Sequence, residues 1–169
     1  ANDEVTSLLA TFAAFGVGFA ARPLGAIIIG RLADRRGRKF ALMVTIYLMA
    51  FGTVMIGLTP TYSSIGLIAP LLIVLARLIQ GFSAGGEWGG STAFMVEWAA
   101  DNRRGFVGSF QQVSVAAGLL LGSGCAALLS TILSEDAVTS WGWRIPFLLG
   151  GVIGLVGIYM RRNVGEPPV

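Results

Sequence analysis

In this chain of 169 residues 54% are hydrophobic and only 12% charged, about half the charged fraction of a soluble domain, so a membrane protein is indicated. The net charge of +3 does not point to a nucleic-acid partner, because the cations gather in short segments between long apolar runs. One cysteine, Cys125, excludes an internal disulfide or a cysteine-built metal site, and the chain has no histidine.

Residues 1–4 are polar and acidic, with no basic segment of the kind a secretory signal needs. The chain lacks an initial Met and begins and ends at helix boundaries, so it reads as a fragment. The first apolar run, about 5–29, is long enough to cross about 30 Å of hydrocarbon as a helix. Thr11, Gly18 and Arg22 share one face of it, and Arg22 sits about 12 Å inside its end at 1.5 Å per residue. Pro23 removes a backbone donor and permits a bend there.

Residues 30–39 hold Arg31, Arg35, Arg36, Arg38 and Lys39 around one carboxylate, Asp34. Such a cluster reads as a tight turn between two spans, facing the cytoplasm by the positive-inside bias. The second span, about 40–58, is nearly all apolar and reads as mostly lipid-facing. Residues 59–64 form an uncharged outer turn with Pro60 and Tyr62. The third run, about 65–98, is too long for one perpendicular crossing and implies an interfacial or extended start before Pro70. It carries glycines at four-residue spacing, Gly81/Gly85/Gly89 and Gly86/Gly90, which lets a neighbouring helix approach closely.

A second basic turn, 101–105, contains Arg103 and Arg104. The fourth span, about 106–133, aligns Gln111, Ser114, Gly118, Gly122 and Cys125 on one face. Glu135 and Asp136 follow in an outer loop. The fifth span, about 141–160, opens with Trp141 and Trp143 as interfacial anchors and is closed by Arg161 and Arg162. Nine of the twelve Lys and Arg residues thus lie in cytoplasmic loops or flanks, and the outer loops have none; Arg22, Arg77 and Arg144 lie within spans or at an edge. The fold expected is all-α, with about five transmembrane helices in the cytoplasmic (inner) membrane.

The third span carries the sharpest chemical signal. Arg77, Gln80, Ala84, Glu87 and Ser91 fall in a sector about 80° wide. A charge at mid-bilayer costs about 2.5–3.5 kcal/mol even on the lenient insertion scale, so that sector faces a polar cavity or a partner helix. A purely structural clasp between helices is the alternative. Glu87 is the one carboxylate well inside a span; Asp34 and Glu97 belong to cytoplasmic ends, Asp3, Glu4, Glu135 and Asp136 to the outer side, and Asp101 and Glu166 to basic flanks. Glu87 is therefore the candidate proton carrier. Arg77, about 15 Å away along the helix axis, is too far to pair with it, but an arginine from another helix could hold it as a structural ion pair.

Gly30-x-x-x-Asp34-Arg35-x-Gly37-Arg38-Lys39 closely resembles the signature between helices 2 and 3 of the major facilitator superfamily. Arg77-x-x-Gln80-Gly81-x-x-Ala84-Gly85 resembles its helix 4 signature, whose arginine is associated with the substrate or proton pathway. The Arg22–Gly25 segment, the stretch Gln80 to Trp88, Arg104-Gly105-x-x-Gly108-Ser109 and the stretch Trp141 to Phe147 together resemble the metabolite:H+ symporter family. That family includes permeases for proline and betaine, α-ketoglutarate, citrate and shikimate. The likeness covers residues 1–169 as helices 2 to 6 of twelve, the partial N-terminal half of the fold. The fourth span lacks the Gly-Pro pair of the drug-antiporter signature.

The resemblance implies a secondary active transporter, a proton-coupled symporter of a small carboxylate-bearing metabolite or osmolyte, with no cofactor or metal. Its substrate and proton pathway would include Arg22, Arg77, Gln80, Glu87, Gln111 and Ser114. Its conformational latch would comprise Gly30, Asp34, Arg35, Gly37, Arg38 and Lys39. Its partners would be substrate, H+, the lipid bilayer, and the first helix and C-terminal six-helix half absent from this chain. A non-transporting scaffold or an intramembrane hydrolase is the alternative. Gly81-x-Ser83-x-Gly85 fits a serine nucleophile pattern, but there is no histidine to serve it. Gly16-x-Gly18-x-x-Ala21 fits a dinucleotide pattern without the strand that must precede it.

Overall fold

The computed structural model describes residues 2–163. Helix α1 (Asn2–Arg36) does not end near residue 29 but runs on through the basic cluster. Leu32, Ala33 and the arginines are good helix formers, and cations in the last turn complement the helix dipole. The ten-residue turn expected from the sequence shrinks to Gly37, at φ 89° and ψ 152°, a backbone conformation that side chains rarely adopt. Helix α2 (Arg38–Leu58) starts at once. The longer α1 leaves Arg22 fourteen residues, about 21 Å, from its cytoplasmic end, deeper than the sequence suggests.

The break expected before Pro70 is present. A one-turn helix, α3 (Tyr62–Ile65), stops at Gly66, whose φ is 58°, and α4 (Ile68–Glu97) then runs for 30 residues. A 3-10 turn at Asp101–Arg103 leads into α5 (Arg104–Ile132). The three-residue α6 (Glu135–Ala137), capped by Ser134, and a π-helical turn at Val138–Gly142 precede α7 (Arg144–Asn163). Arg144 fastens this outer corner by donating to the carbonyls of Ser140 (2.8 Å) and Thr59 (3.1 Å). Five helices among the described residues are long and apolar enough to span a membrane.

Helix α4 is the axis of the bundle, packed against α1 on one side and α2 on the other. The α1 contact is a crossing of backbones. A Cβ on Gly81 would collide with the Gly18 carbonyl, and one on Gly85 with the Arg22 carbonyl. Gly86 is filled by Ile29 and Gly90 by Leu42, whereas Gly89 has nothing within 4 Å. The glycine spacing therefore does admit a partner, at four of its five positions.

Helix α2 departs from its lipid-facing expectation. It lies between α4 and α7, with Ala41, Leu42, Thr45, Gly52, Ile56 and Gly57 buried. Small residues explain this: a Cβ at Gly154 of α7 would lie 2.7 Å from the Ala50 Cβ, so the two helices meet almost backbone to backbone. Ser83 donates to the Thr45 carbonyl at 2.6 Å, a buried polar tie between α4 and α2. Helix α5 stands apart, with no buried residue among those described. At 21 residues α2 is about 31 Å long, which makes it a ruler for depth; its midpoint lies beside Met49.

Candidate substrate site

Two cavities follow one another along the same face of α4. The outer one, about 250 Å³, is lined by Arg22, Arg77, Gln80, Phe15, Phe19 and Met49, with the close-packed glycines as its floor. Met49 places it near mid-bilayer. The guanidinium carbon of Arg22 lies 4.0 Å from the centre of the Phe19 ring, and that of Arg77 5.6 Å from Phe15, distances at which an aromatic face attracts a cation. Arg77 Nη1 donates to Gln80 Oε1 at 3.1 Å, and Gln80 Nε2 donates to Thr53 Oγ1 at 2.9 Å. Thr53 Oγ1 in turn donates to the Met49 carbonyl at 2.8 Å. This chain fixes one edge of the Arg77 guanidinium and leaves its other donors for a ligand. Neither Arg22 nor Arg77 forms a salt bridge among the described residues.

The inner cavity, about 440 Å³, lies between α2, α4, α5 and α7. Lys39, Glu87, Ser91, Gln111, Ser114 and Arg161 supply its polar groups, and Leu42, Ile46, Phe94 and Met160 its apolar walls. Ser91 bonds across to Gln111 Oε1 at 3.2 Å, which is how α5 joins this site. Glu87 Oε1 lies 3.8 Å from Arg161 Nη2. The rival arginine that the sequence leaves open is thus Arg161 of α7. It is not a free cytoplasmic flank: its side chain turns back into the bundle. The signal was present in the spacing. Gly150, Gly154, Gly157 and Arg161 recur at four, three and four residues, the stripe that α7 presents to α2.

The predicted residues therefore separate into two groups. Arg22, Arg77 and Gln80 share the outer cavity, while Glu87, Gln111 and Ser114 share the inner one. Sequence reasoning missed Thr53 and Arg161. Gly118 and Gly122, assigned with Gln111 to one polar face, have nothing within 4 Å. Glu166 and the side chains of Asp3 and Glu4 lie outside the described residues. Ser83 is buried and committed to Thr45, which removes it as a nucleophile.

At the cytoplasmic end, Asp34 and Arg35 are exposed, and Asp34 forms no salt bridge among the described residues. Asp34 and Gly30 edge a small gap shared with Arg38 and the Gly85–Gly90 stretch of α4. The ion pair found here is Arg38 with Glu97, at 2.6 Å, tying the start of α2 to the end of α4. Lys39 Nζ donates to the Arg162 carbonyl at 3.0 Å, and Arg162 Nη2 to the Tyr47 hydroxyl at 2.7 Å, so α7 is tied to α2 as well.

The sugar (and other) transporter family matches residues 2–169. A glycine betaine/proline/ectoine/pipecolic acid transporter, OusA of Dickeya dadantii (strain 3937), is 43% identical over 166 residues, 98% of this chain and 33% of that protein. The proline/betaine transporter of Salmonella typhimurium is 42% identical over 166 residues, again 98% of this chain and 33% of the relative. The shikimate transporter of Escherichia coli (strain K12) is 47% identical over 158 residues, 94% of this chain and 36% of the relative. The chain spans about a third of the length of these curated relatives. Among solved structures, the proton:xylose symporter XylE of the major facilitator superfamily, bound to 6-bromo-6-deoxy-D-glucose, superposes with a TM-score of 0.85. It is 20% identical, over 99% of this chain and 37% of that one, a likeness of fold.

Proposed function

Since this chain belongs to the sugar (and other) transporter family of the major facilitator superfamily, and is a multi-pass protein of the cytoplasmic membrane, we propose that it is part of a proton-coupled symporter for a small carboxylate-bearing metabolite or osmolyte. The carrying observation is the outer cavity, which Arg22 and Arg77 both line near mid-bilayer with no carboxylate among the described residues to neutralise them. Uncompensated cations there are costly unless a ligand supplies the anion. Arg77, steadied by Gln80, offers a planar fork to a carboxylate; Arg22 offers a second cation, although its neighbour Pro23 gives it a rival, helix-shaping role. The relatives named for proline, betaines and shikimate act on solutes that carry a carboxylate, which supports the same substrate class.

Residues 1–169 are assigned to helices 2 to 6 of a twelve-helix carrier. In such a carrier substrate sits between two six-helix halves that rock about it. The cytoplasmic cluster serves as the latch of that motion: Arg38 and Glu97 brace this half, while exposed Asp34 is free to engage the other. Glu87 carries the coupling proton. The alternative of a non-transporting scaffold gives no reason for a dicationic cavity, and Ser83 is not available to a hydrolase.

The test is uptake by the reconstituted full-length protein from a panel of carboxylates and betaines, each paired with its methyl ester. Uptake of an acid or betaine that its ester neither matches nor inhibits is the expected result. Equal handling of acid and ester would refute carboxylate recognition.

A further inference from the structure

The inner cavity holds an ion pair that is only half made. At 3.8 Å, Glu87 and Arg161 attract each other but stand beyond hydrogen-bond length. Arg161 Nη1 is buried with no hydrogen-bond partner, an expense that native structures seldom carry without a reason. A guanidinium edge presents two parallel donors, and a carboxylate that meets it squarely satisfies both. Glu87 meets only one of them, and at long range. The cavity has room for a small solute beside the pair, and its walls are mostly apolar.

We propose that the inner cavity is a second carboxylate subsite, where the carboxylate of the substrate replaces Glu87 on Arg161, and Glu87, so released, takes up the proton carried with it. This rests on the symport function proposed above. The exchange keeps the charge at the pair constant: one carboxylate group arrives, one proton arrives with it, and Arg161 stays cationic throughout. A carboxylate deprived of its cation among apolar walls is neutralised by a proton from the water on the open side rather than held charged. Among the described residues no other acid lines the cavity. Arg161 faces Glu87 from α7, and Lys39 lines the cavity from α2, its ammonium held by the Arg162 carbonyl. Helix α5 contributes only Gln111 and Ser114, and α1 contributes no residue to the wall.

The two cavities are also in line. Both open on the face of α4 that carries Gln80, Ala84, Glu87 and Ser91, and Met49 of the outer cavity is one turn of α2 from Ile46 of the inner one. A solute leaving Arg22 and Arg77 toward the cytoplasm therefore meets Arg161 next.

The experiment uses the full-length protein in proteoliposomes, with a pH-sensitive dye inside and the best carboxylate-bearing substrate of the uptake panel outside. Glu87→Gln is expected to abolish substrate-induced proton entry and accumulation above equilibrium while entry down the substrate gradient continues. Arg161→Gln should raise the half-saturation concentration by about tenfold, the scale of one lost charge-assisted contact. Arg161→Lys should recover part of that loss, because it restores the charge without the fork. The double variant Glu87→Gln/Arg161→Gln removes both charges of the pair together, which separates binding from a structural clasp. It should remain weak-binding and uncoupled. Return of the double variant to wild-type affinity and proton entry would make the pair a clasp and overturn the proposal. Undiminished proton coupling in Glu87→Gln would also overturn it while leaving symport itself standing. No carboxylate-dependent uptake by the wild type would refute the symport function, and this subsite with it.

Discussion

Gly81→Ala tests the α1–α4 crossing on which the outer cavity rests. The added Cβ would lie 2.5 Å from the Gly18 carbonyl carbon and 2.8 Å from its Cα, and nearer still to the oxygen. Ordinary carbon contacts need about 3.5–4 Å, so the helices must part by about 1–1.5 Å. Both sides of the clash are backbone, and no rotamer change relieves it. Overpacking of this kind costs about 1–3 kcal/mol, roughly a 5- to 150-fold change in the folded ratio. Gly89→Ala is the control on the same helix: nothing lies within 4 Å of its Cβ position. There the gain in helix propensity, about 0.5–1 kcal/mol, is unopposed. The assay is unfolding of the purified full-length protein in detergent, followed by helicity. Gly81→Ala should be destabilised relative to both wild type and Gly89→Ala. Equal stability of the two variants would refute the backbone crossing.

Three further outcomes are expected. Arg77→Lys should weaken apparent substrate affinity and Arg77→Gln should nearly abolish transport; unchanged affinity in Arg77→Gln, measured by uptake kinetics, would assign Arg77 a remote structural role. Asp34→Asn should lower the transport rate at equal expression without affecting membrane insertion, and a wild-type rate would remove Asp34 from the latch. Glu97→Gln should lower transport with Arg38 left unpaired, and Arg38→Gln/Glu97→Gln should recover stability more than rate, as read by a thermal unfolding midpoint beside an uptake rate.

The spans were legible because bilayer thickness imposes length and hydropathy. The glycine spacing on α4 announced a close neighbour, and α1 occupies it. Other features depend on pairings that no local pattern reports. An all-apolar α2 reads the same whether lipid or another helix covers it; the small residues of α4 and α7 decide the matter. The basic run 30–39 combines turn charge with helix propensity, and propensity extends the helix to Gly37, whose φ is positive. The α4 polar sector placed Arg77, Gln80, Glu87 and Ser91 on one face, but periodicity alone did not divide them between two cavities. Arg161 was hidden by its position at a chain flank, where a cation usually reaches water; the glycine stripe beneath it aims it inward.

Symport is tested most directly by gradient-driven accumulation. Full-length protein in proteoliposomes would be given an inside-alkaline pH gradient with a radiolabelled carboxylate-bearing substrate at equal concentration on both sides. Substrate is expected to accumulate inside, protons to enter with it, and a reversed gradient to expel it. Accumulation that ignores the pH gradient, or proton movement that does not depend on substrate, would contradict the account.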